Sequence, residues 1–231
     1  MCPVVKDGKA LLVRRKKGEK MVVYLIENGY ADERTANAMR KVLRGFFVPV
    51  AYQQYAYADY PLPIGQGQTI SAPSIVAFMT KMLDVQPGMK ILEIGAGCGY
   101  QSSILAELVG PKGVVYSVER VPEMVELARM NIAKLEYNNI TVIYGDGTLG
   151  YPDAAPYDRI IVTCGAPQVP QPLIDQLKEG GKMLIPVGQM FWQDLIRVER
   201  GKGKEIKQNS ILPVTFVPLI GKYGHKEQPL P

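Results

Sequence analysis

The nine residues from Leu92 to Tyr100, LEIGAGCGY, constrain the fold more than any other stretch of the chain. Lys90–Ile94 is a short apolar run that reads as a strand. Gly95, Gly97 and Gly99 then break it, and Gln101–Val109 has the apolar spacing of a helix. A strand, a tight glycine turn and a helix, in that order, form the repeating unit of open parallel sheets. The turn lets a ligand come close to the backbone at the carboxyl end of the strand.

The same alternation continues downstream. Gly113–Val118 reads as a strand, Pro122–Leu135 as a helix, and Ile140–Tyr144 and Arg159–Thr163 as strands. A helix over Gln171–Leu177 follows, then strands over Lys182–Pro186 and Asp194–Arg200. Ile211–Leu219 reads as a last strand, interrupted by prolines and so placed at an edge or bulge. The pattern predicts an α/β fold: a Rossmann-like, doubly wound, mostly parallel sheet with helices on both faces. Upstream, Glu19–Asn28 reads as a short amphipathic helix ending near Gly29, and Asp32 as the N-cap of a helix over Glu33–Arg44. Residues 46 to 70 carry tyrosines 52, 55, 57 and 60 and several prolines without a regular period, and read as a structured loop. Ser71 is placed to cap a helix that starts near Pro73 and runs to about Leu83.

A length of 231 residues fits one α/β domain with an extension. The expectation is a single catalytic unit, with a basic helical extension over 1–48 and a core over 49–231. No apolar run reaches the roughly 18 residues of a membrane-spanning helix. The apolar stretch Ala10–Val13 is too short for the core of a secretory signal. Cys2, Cys98 and Cys164 form no CxxC pair, and the single histidine, His225, cannot complete a ligand set. No metal site or disulfide framework is therefore expected, which fits a reducing, cytoplasmic setting. The net charge is +5, concentrated at Lys6, Lys9, Arg14, Arg15, Lys16, Lys17 and Lys20. No aromatic residues interleave with these charges to stack on bases. The run reads as a solvated segment rather than a nucleic-acid site.

Three acids fall at the ends of successive strands beside the glycine turn. Glu93 precedes the turn, Glu119 lies 22 residues after Gly97, and Asp146 is followed by Gly147. An acid about 20 residues beyond the turn suits ribose hydroxyls. The turn itself reads GxGxG rather than the pyrophosphate-binding G-x-G-x-x-G, because residue 100 is tyrosine. Glu93 would also repel phosphates. The set suits a cationic adenosyl ligand such as S-adenosylmethionine: Glu93 toward its amino group, Asp146-Gly147 toward the adenine. Cys98 reads as a small packed residue, since no base lies near it in sequence.

The segments YADYPLPIGQGQTIS, LEIGAGCGYQ, YSVER, YGDGTLGY, APYDRIIV, LKEGGKMLIPVG and FVPLIG together resemble the protein L-isoaspartate O-methyltransferase family, from about Asp32 to the C-terminus. The glycine turn is common to class I methyltransferases, whereas PLPIGQGQTIS is the specific segment. The resemblance implies methylation of the free α-carboxylate of L-isoaspartyl residues, and more weakly D-aspartyl residues, in damaged proteins. S-adenosylmethionine would be the donor, S-adenosylhomocysteine the product, and the methyl ester would collapse to a succinimide. It further implies that Ser71 is the active-site serine, flanked by Thr69, Ile70 and Ala72 in the loop over cofactor and substrate. Glu93, Gly95, Gly97, Glu119, Asp146 and Gly147 match the cofactor contacts. Cys98, where serine or threonine is common, and the run Thr163-Cys164-Gly165-Ala166-Pro167 are the departures. Neither touches the acids. Residues Tyr55 to Ile64 and the tail Val217–His225 are candidate walls for the peptide.

Methyl transfer to a carboxylate needs no strong base, because the acceptor is already ionised at neutral pH. That agrees with the lack of histidine and cysteine near Ser71. Two other readings use the same turn: a class I methyltransferase for RNA or a small molecule, and a non-catalytic S-adenosylmethionine-binding module. PLPIGQGQTIS and the lack of an NPPY-type motif weigh against the first, and Ser71 with all three acids against the second. A nicotinamide dehydrogenase is disfavoured by Glu93. The apolar patch Met21–Ile26 beside the basic run suggests a contact through which copies of the chain could assemble.

Overall fold

The computed structural model describes residues 8–190, 192–203 and 205–226. Cys2 and Lys6 lie outside them, and of Lys9 only the helical backbone is described. In chain order the elements are α1 (Gly8–Glu27), α2 (Glu33–Lys41), β1 (Leu62–Gly65), β2 (Gln68–Ile70), α3 (Pro73–Leu83), β3 (Lys90–Ile94), α4 (Tyr100–Val109) and β4 (Val114–Glu119). They continue with α5 (Pro122–Lys134), β5 (Ile140–Tyr144), β6 (Tyr157–Val162), α6 (Gln171–Gln176), β7 (Leu177–Gln189), β8 (Trp192–Arg200) and β9 (Ile206–Val214).

Seven strands form one sheet in the order β5-β4-β3-β6-β7-β8-β9. Pairs β3–β4, β4–β5, β3–β6 and β6–β7 are parallel, while β8 runs antiparallel to both neighbours. The chain therefore winds outward from β3 to β5 and returns to lay β6 beside β3. The order reverses between β3 and β6, the place where ligands bind in doubly wound sheets.

The strand sequences are apolar at successive positions because both faces are covered. Ile91 and Ile161 pack with Met79, Leu83, Leu105 and Val109 of α3 and α4. Their neighbours Leu92, Ile160 and Val162 point the other way, into a cluster with Leu173 of α6, Cys164 and Leu219. The helix α5 presses Val125, Ala128 and Ile132 against Val142 of β5.

Short elements account for most departures from the sequence reading. The helix expected at Glu19–Asn28 begins at Gly8, so the basic run lies on α1. Met21, Val22 and Leu25 are buried in a cluster with Ala36, Met39, Ile70 and Tyr100, while Val23 and Tyr24 of the same patch stay exposed on the outer face of α1. The loop expected over 46–70 contains 3₁₀ turns at Arg44–Phe46 and Val50–Tyr55 and the antiparallel hairpin β1–β2. Its turn, Gln66-Gly67, has both residues at positive φ (52° and 67°), the geometry of a tight hairpin connection. The last strand is Ile206–Val214 rather than Ile211–Leu219. Pro213 is accommodated opposite Asp194, and the chain leaves the sheet after Val214.

Two contacts fix the loop that carries Ser71. Arg44 is fully buried; its Nε donates to the carbonyl of Ala56 at 2.9 Å, and Nη2 to those of Tyr60 and Ile70 at 3.5 Å. Burial without a carboxylate partner pushes its pKa down, against the pull of the Tyr100 ring 5.4 Å away. Asp59 Oδ1 accepts from the Ser74 N–H at 2.8 Å in the first turn of α3. That contact overturns the expected Ser71 cap. The residue at the cap position is Ala72, and the free N–H is taken by Asp59 from across the loop.

Candidate active site at the strand switch point

A cavity of about 500 Å³ opens at the carboxyl ends of β3 and β6. Its walls come from the glycine turn (Gly95, Gly97), the end of β4 (Val118, Glu119), the β1–β2 hairpin (Gln66 to Thr69), Gly147, and the tail Val217 to Ile220. Gly95 has φ +95°, and a Cβ there would collide with Thr163 Oγ1. Only glycine leaves this wall open.

Glu119 is 7% exposed and lines the cavity. The Gly97 N–H donates to its Oε2 at 3.0 Å, while the Arg120 and Val121 N–H groups donate to Oε1 at 2.8 and 3.0 Å. The carboxylate thus holds the glycine turn and presents its remaining lone pairs to the cavity.

Glu93 behaves differently from the expectation. It is fully buried, does not line the cavity, and accepts hydrogen bonds from the hydroxyls of Ser102 and of Ser117, the latter at 2.6 Å. Oε1 has no partner among the described residues. Burial pushes its pKa up to about 7, opposed by the two serines and reinforced by Glu119. It ties β3 to β4 and α4 beneath the turn.

Asp146 also does not line the cavity. Its Oδ1 accepts from the N–H and hydroxyl of Thr148 at 2.9 and 2.7 Å, and Oδ2 from the Lys222 N–H at 2.8 Å. One oxygen caps the turn Gly147–Leu149 through Thr148 and the other fastens the tail at Lys222, so both are engaged. Gly147 is the member of the pair that reaches the cavity.

A second cleft of about 510 Å³ lies on the other side of Thr69. Ser71, Ala72, Pro61, Ile75, Met190 and the segment Leu212 to Pro218 line it. The two spaces share Thr69, Thr163, Val217 and Pro218. The Ser71 hydroxyl makes no hydrogen bond to a described residue, so it is available to the cleft. Ile70 is 3% exposed and lines only a small cavity of about 50 Å³. Of the four loop residues Thr69 alone touches both larger spaces, while Ser71 and Ala72 belong to the second cleft.

Of the expected peptide walls, only Pro61 from Tyr55–Ile64 lines the second cleft. The tail divides: Val217 and Pro218 face both spaces, Leu219 and Ile220 only the first. His225 lines neither, its N–H donating to the Leu219 carbonyl at 2.8 Å. Gln66, Gln68, Val121 and Thr163 line the cavity without having been assigned a site role from the sequence. Their side chains carry no chemical signature, and only the hairpin and the β6 end bring them to the site. Cys98 is buried, its thiol pushed up to about 11 by desolvation, so it packs rather than attacks.

The match to known proteins runs over residues 16–224, to the family described as protein-L-isoaspartate(D-aspartate) O-methyltransferase. The chain belongs to that family. It begins to match before Asp32, which brings most of α1 within the family pattern. A protein-L-isoaspartate O-methyltransferase of Methanothrix thermoacetophila is 54% identical over 205 residues, 88% of this chain and 96% of the relative. One of Hyperthermus butylicus is 49% identical over 236 residues, 98% of this chain and 97% of the relative. Among solved structures, a protein-L-isoaspartate O-methyltransferase superposes with a TM-score of 0.82 at 31% identity, covering 89% of this chain and 67% of the other. A Plasmodium falciparum protein described by the same activity, solved with S-adenosyl-L-homocysteine, superposes with a TM-score of 0.79 at 26% identity, covering 88% and 98%. This isoaspartate methyltransferase therefore uses S-adenosylmethionine. Its mostly parallel seven-stranded sheet is that of class I methyltransferases.

Proposed function

We propose that the 500 Å³ cavity holds S-adenosylmethionine and that the Ser71 cleft receives the α-carboxylate of an L-isoaspartyl residue, with D-aspartyl residues accepted less well. The observation that carries this is the seam between the two spaces, where Thr69 and Thr163 face both. The donor, when bound, supplies a sulfonium methyl that passes to a carboxylate oxygen while sulfur keeps the bonding pair.

The residues present fit that donor. Glu119 accepts from ribose hydroxyls, Gly95 and Gly97 let the ligand lie against backbone, and Gly147 with Leu219 offers a flat apolar wall. Among the described residues, no lysine, arginine, histidine or acid lines the Ser71 cleft. An acceptor that arrives ionised needs no base there. Ser71 donates a hydrogen bond that fixes which oxygen faces the seam, and alignment of the reacting atoms supplies several kcal/mol. The methyl ester leaves and closes to a succinimide without the enzyme, so the reaction serves repair of aged proteins.

Residues 1–48 and 49–231 act as one catalytic unit in this reading, since α1 and α2 share a core with Ile70 and Tyr100. No described helix is long and apolar enough to cross a membrane. The free thiols of Cys98 and Cys164 favour a cytoplasmic setting.

The test compares the unaltered protein with Ser71→Ala on one isoaspartyl peptide, with cofactor affinity measured alongside. Turnover is expected to fall on the order of 10- to 100-fold at unchanged cofactor affinity, the effect of losing one hydrogen bond to a charged group. Equal turnover would remove Ser71 from the reaction. Absence of transfer by the unaltered protein would remove the activity itself.

A further inference from the structure

A groove of about 590 Å³ continues from the Ser71 cleft along the β7–β8 hairpin, sharing Pro213, Val214 and Thr215 with it. Val187, Trp192 and Asp194 are among its other walls. Trp192 is the only tryptophan of the chain, and 82% of it is exposed. An aromatic of that size is ordinarily buried, so a fully open one at a groove rim points to contact with another molecule. Trp192 and Asp194 are two apart on β8 and project from the same face of the strand. Gln193 between them is buried, its Oε1 accepting from the Phe216 N–H at 2.7 Å, which locks the strand to the cleft wall. Asp194 is exposed, stands opposite Pro213, and forms no ion pair with a described residue.

We propose that this groove is a side-chain subsite for a basic residue of the substrate chain, flanking the isoaspartyl residue held at Ser71. A lysine or arginine laid on the Trp192 ring gains a cation–π contact. The same position sets its charge beside the unpaired Asp194 carboxylate, which repels acidic side chains. The occupant is the substrate itself, because the groove is continuous with the acceptor cleft through three shared residues. The preference is local, since the chain as a whole is positively charged at +5.

The inference rests on the Ser71 cleft being the acceptor site, and its test separates the two. Isoaspartyl peptides carry lysine, alanine or glutamate, scanned over the positions on either side of the isoaspartyl residue. Labelled methyl transfer gives kcat/KM, and the fluorescence of Trp192, the sole indole, reports binding directly. At one position lysine should exceed alanine about fivefold, the combined effect of an exposed cation–π contact and an exposed charge pair, with glutamate below both. Trp192→Ala and Asp194→Asn should each shrink that ratio toward one, and Trp192→Phe should retain part of it. Cofactor binding by each variant checks that it is folded. Equal kcat/KM for lysine, alanine and glutamate at every position, with efficient methylation, would overturn the subsite alone. So would a ratio unchanged in both variants. Failure to methylate any isoaspartyl peptide would overturn the acceptor site and the subsite together.

Discussion

The Gly97 N–H donates to Glu119 Oε2 at 3.0 Å, joining the glycine turn to the end of the neighbouring strand across 22 residues. The two features read separately in the sequence, as a tight turn and a ribose acceptor, are one mechanical unit. The carboxylate that would meet the ribose also sets the backbone against which the cofactor would lie.

Replacing Glu119 with alanine should therefore do two things at once. It removes the acceptor for three backbone N–H groups, those of Gly97, Arg120 and Val121. Cofactor affinity should fall on the order of 10- to 100-fold, and Tm by roughly 5 °C for a chain of this size. Calorimetry and thermal unfolding measure both. Unchanged affinity with a lowered Tm would confine Glu119 to a structural role.

Asp146→Ala tests the reassignment of that acid. Its oxygens hold Thr148 and the Lys222 N–H, so its loss should loosen the tail that carries Leu219 and Ile220 into the cavity. Affinity should drop by a similar factor for S-adenosylhomocysteine and for its inosine analogue, which lacks the adenine amino group. A drop confined to the adenine form would show that Asp146 reads the base directly.

Glu93 gives a pH dependence with a definite sign. Its pKa is raised from 4.5 to about 7 in the folded state, so between these values the folded chain holds a proton that the unfolded chain has lost. Stability from this group is full below about pH 4.5 and falls as pH rises toward 7, by on the order of 3 kcal/mol in total. Glu93→Gln keeps an oxygen for Ser102 and Ser117 but cannot ionise. Denaturant titrations at several pH values should show the downward slope between pH 5 and 7 in the unaltered protein and a flatter one in the variant. Parallel curves would contradict the buried, half-neutral carboxyl.

The long-period features were legible in the sequence because they are carried by many residues. β3 and β5 fall at Lys90–Ile94 and Ile140–Tyr144 as expected, and the glycine turn sits where the strand order reverses. The β1–β2 hairpin escaped notice because strands of three and four residues are too short to show alternation. Its Gln66-Gly67 turn also lacks the usual asparagine or aspartate. Glu93 and Asp146 show the limit for site residues. Sequence position placed each acid at a strand end, but strand direction decides which way a side chain points, and local donors decide whether its oxygens are free. Ser102 and Ser117 claim one acid, Thr148 and Lys222 the other. The Ser71 cleft depends on Leu212 to Pro218, mostly apolar residues that become a wall only because the chain leaves the sheet after Val214.

The most direct measurement offers labelled S-adenosylmethionine with two peptides that differ only in aspartyl versus isoaspartyl linkage at one position. The expected result is label on the isoaspartyl peptide alone, released as methanol by mild alkali, as a carboxyl methyl ester requires. Equal labelling of both peptides, or label that resists alkali, would contradict methylation of the isoaspartyl α-carboxylate at Ser71.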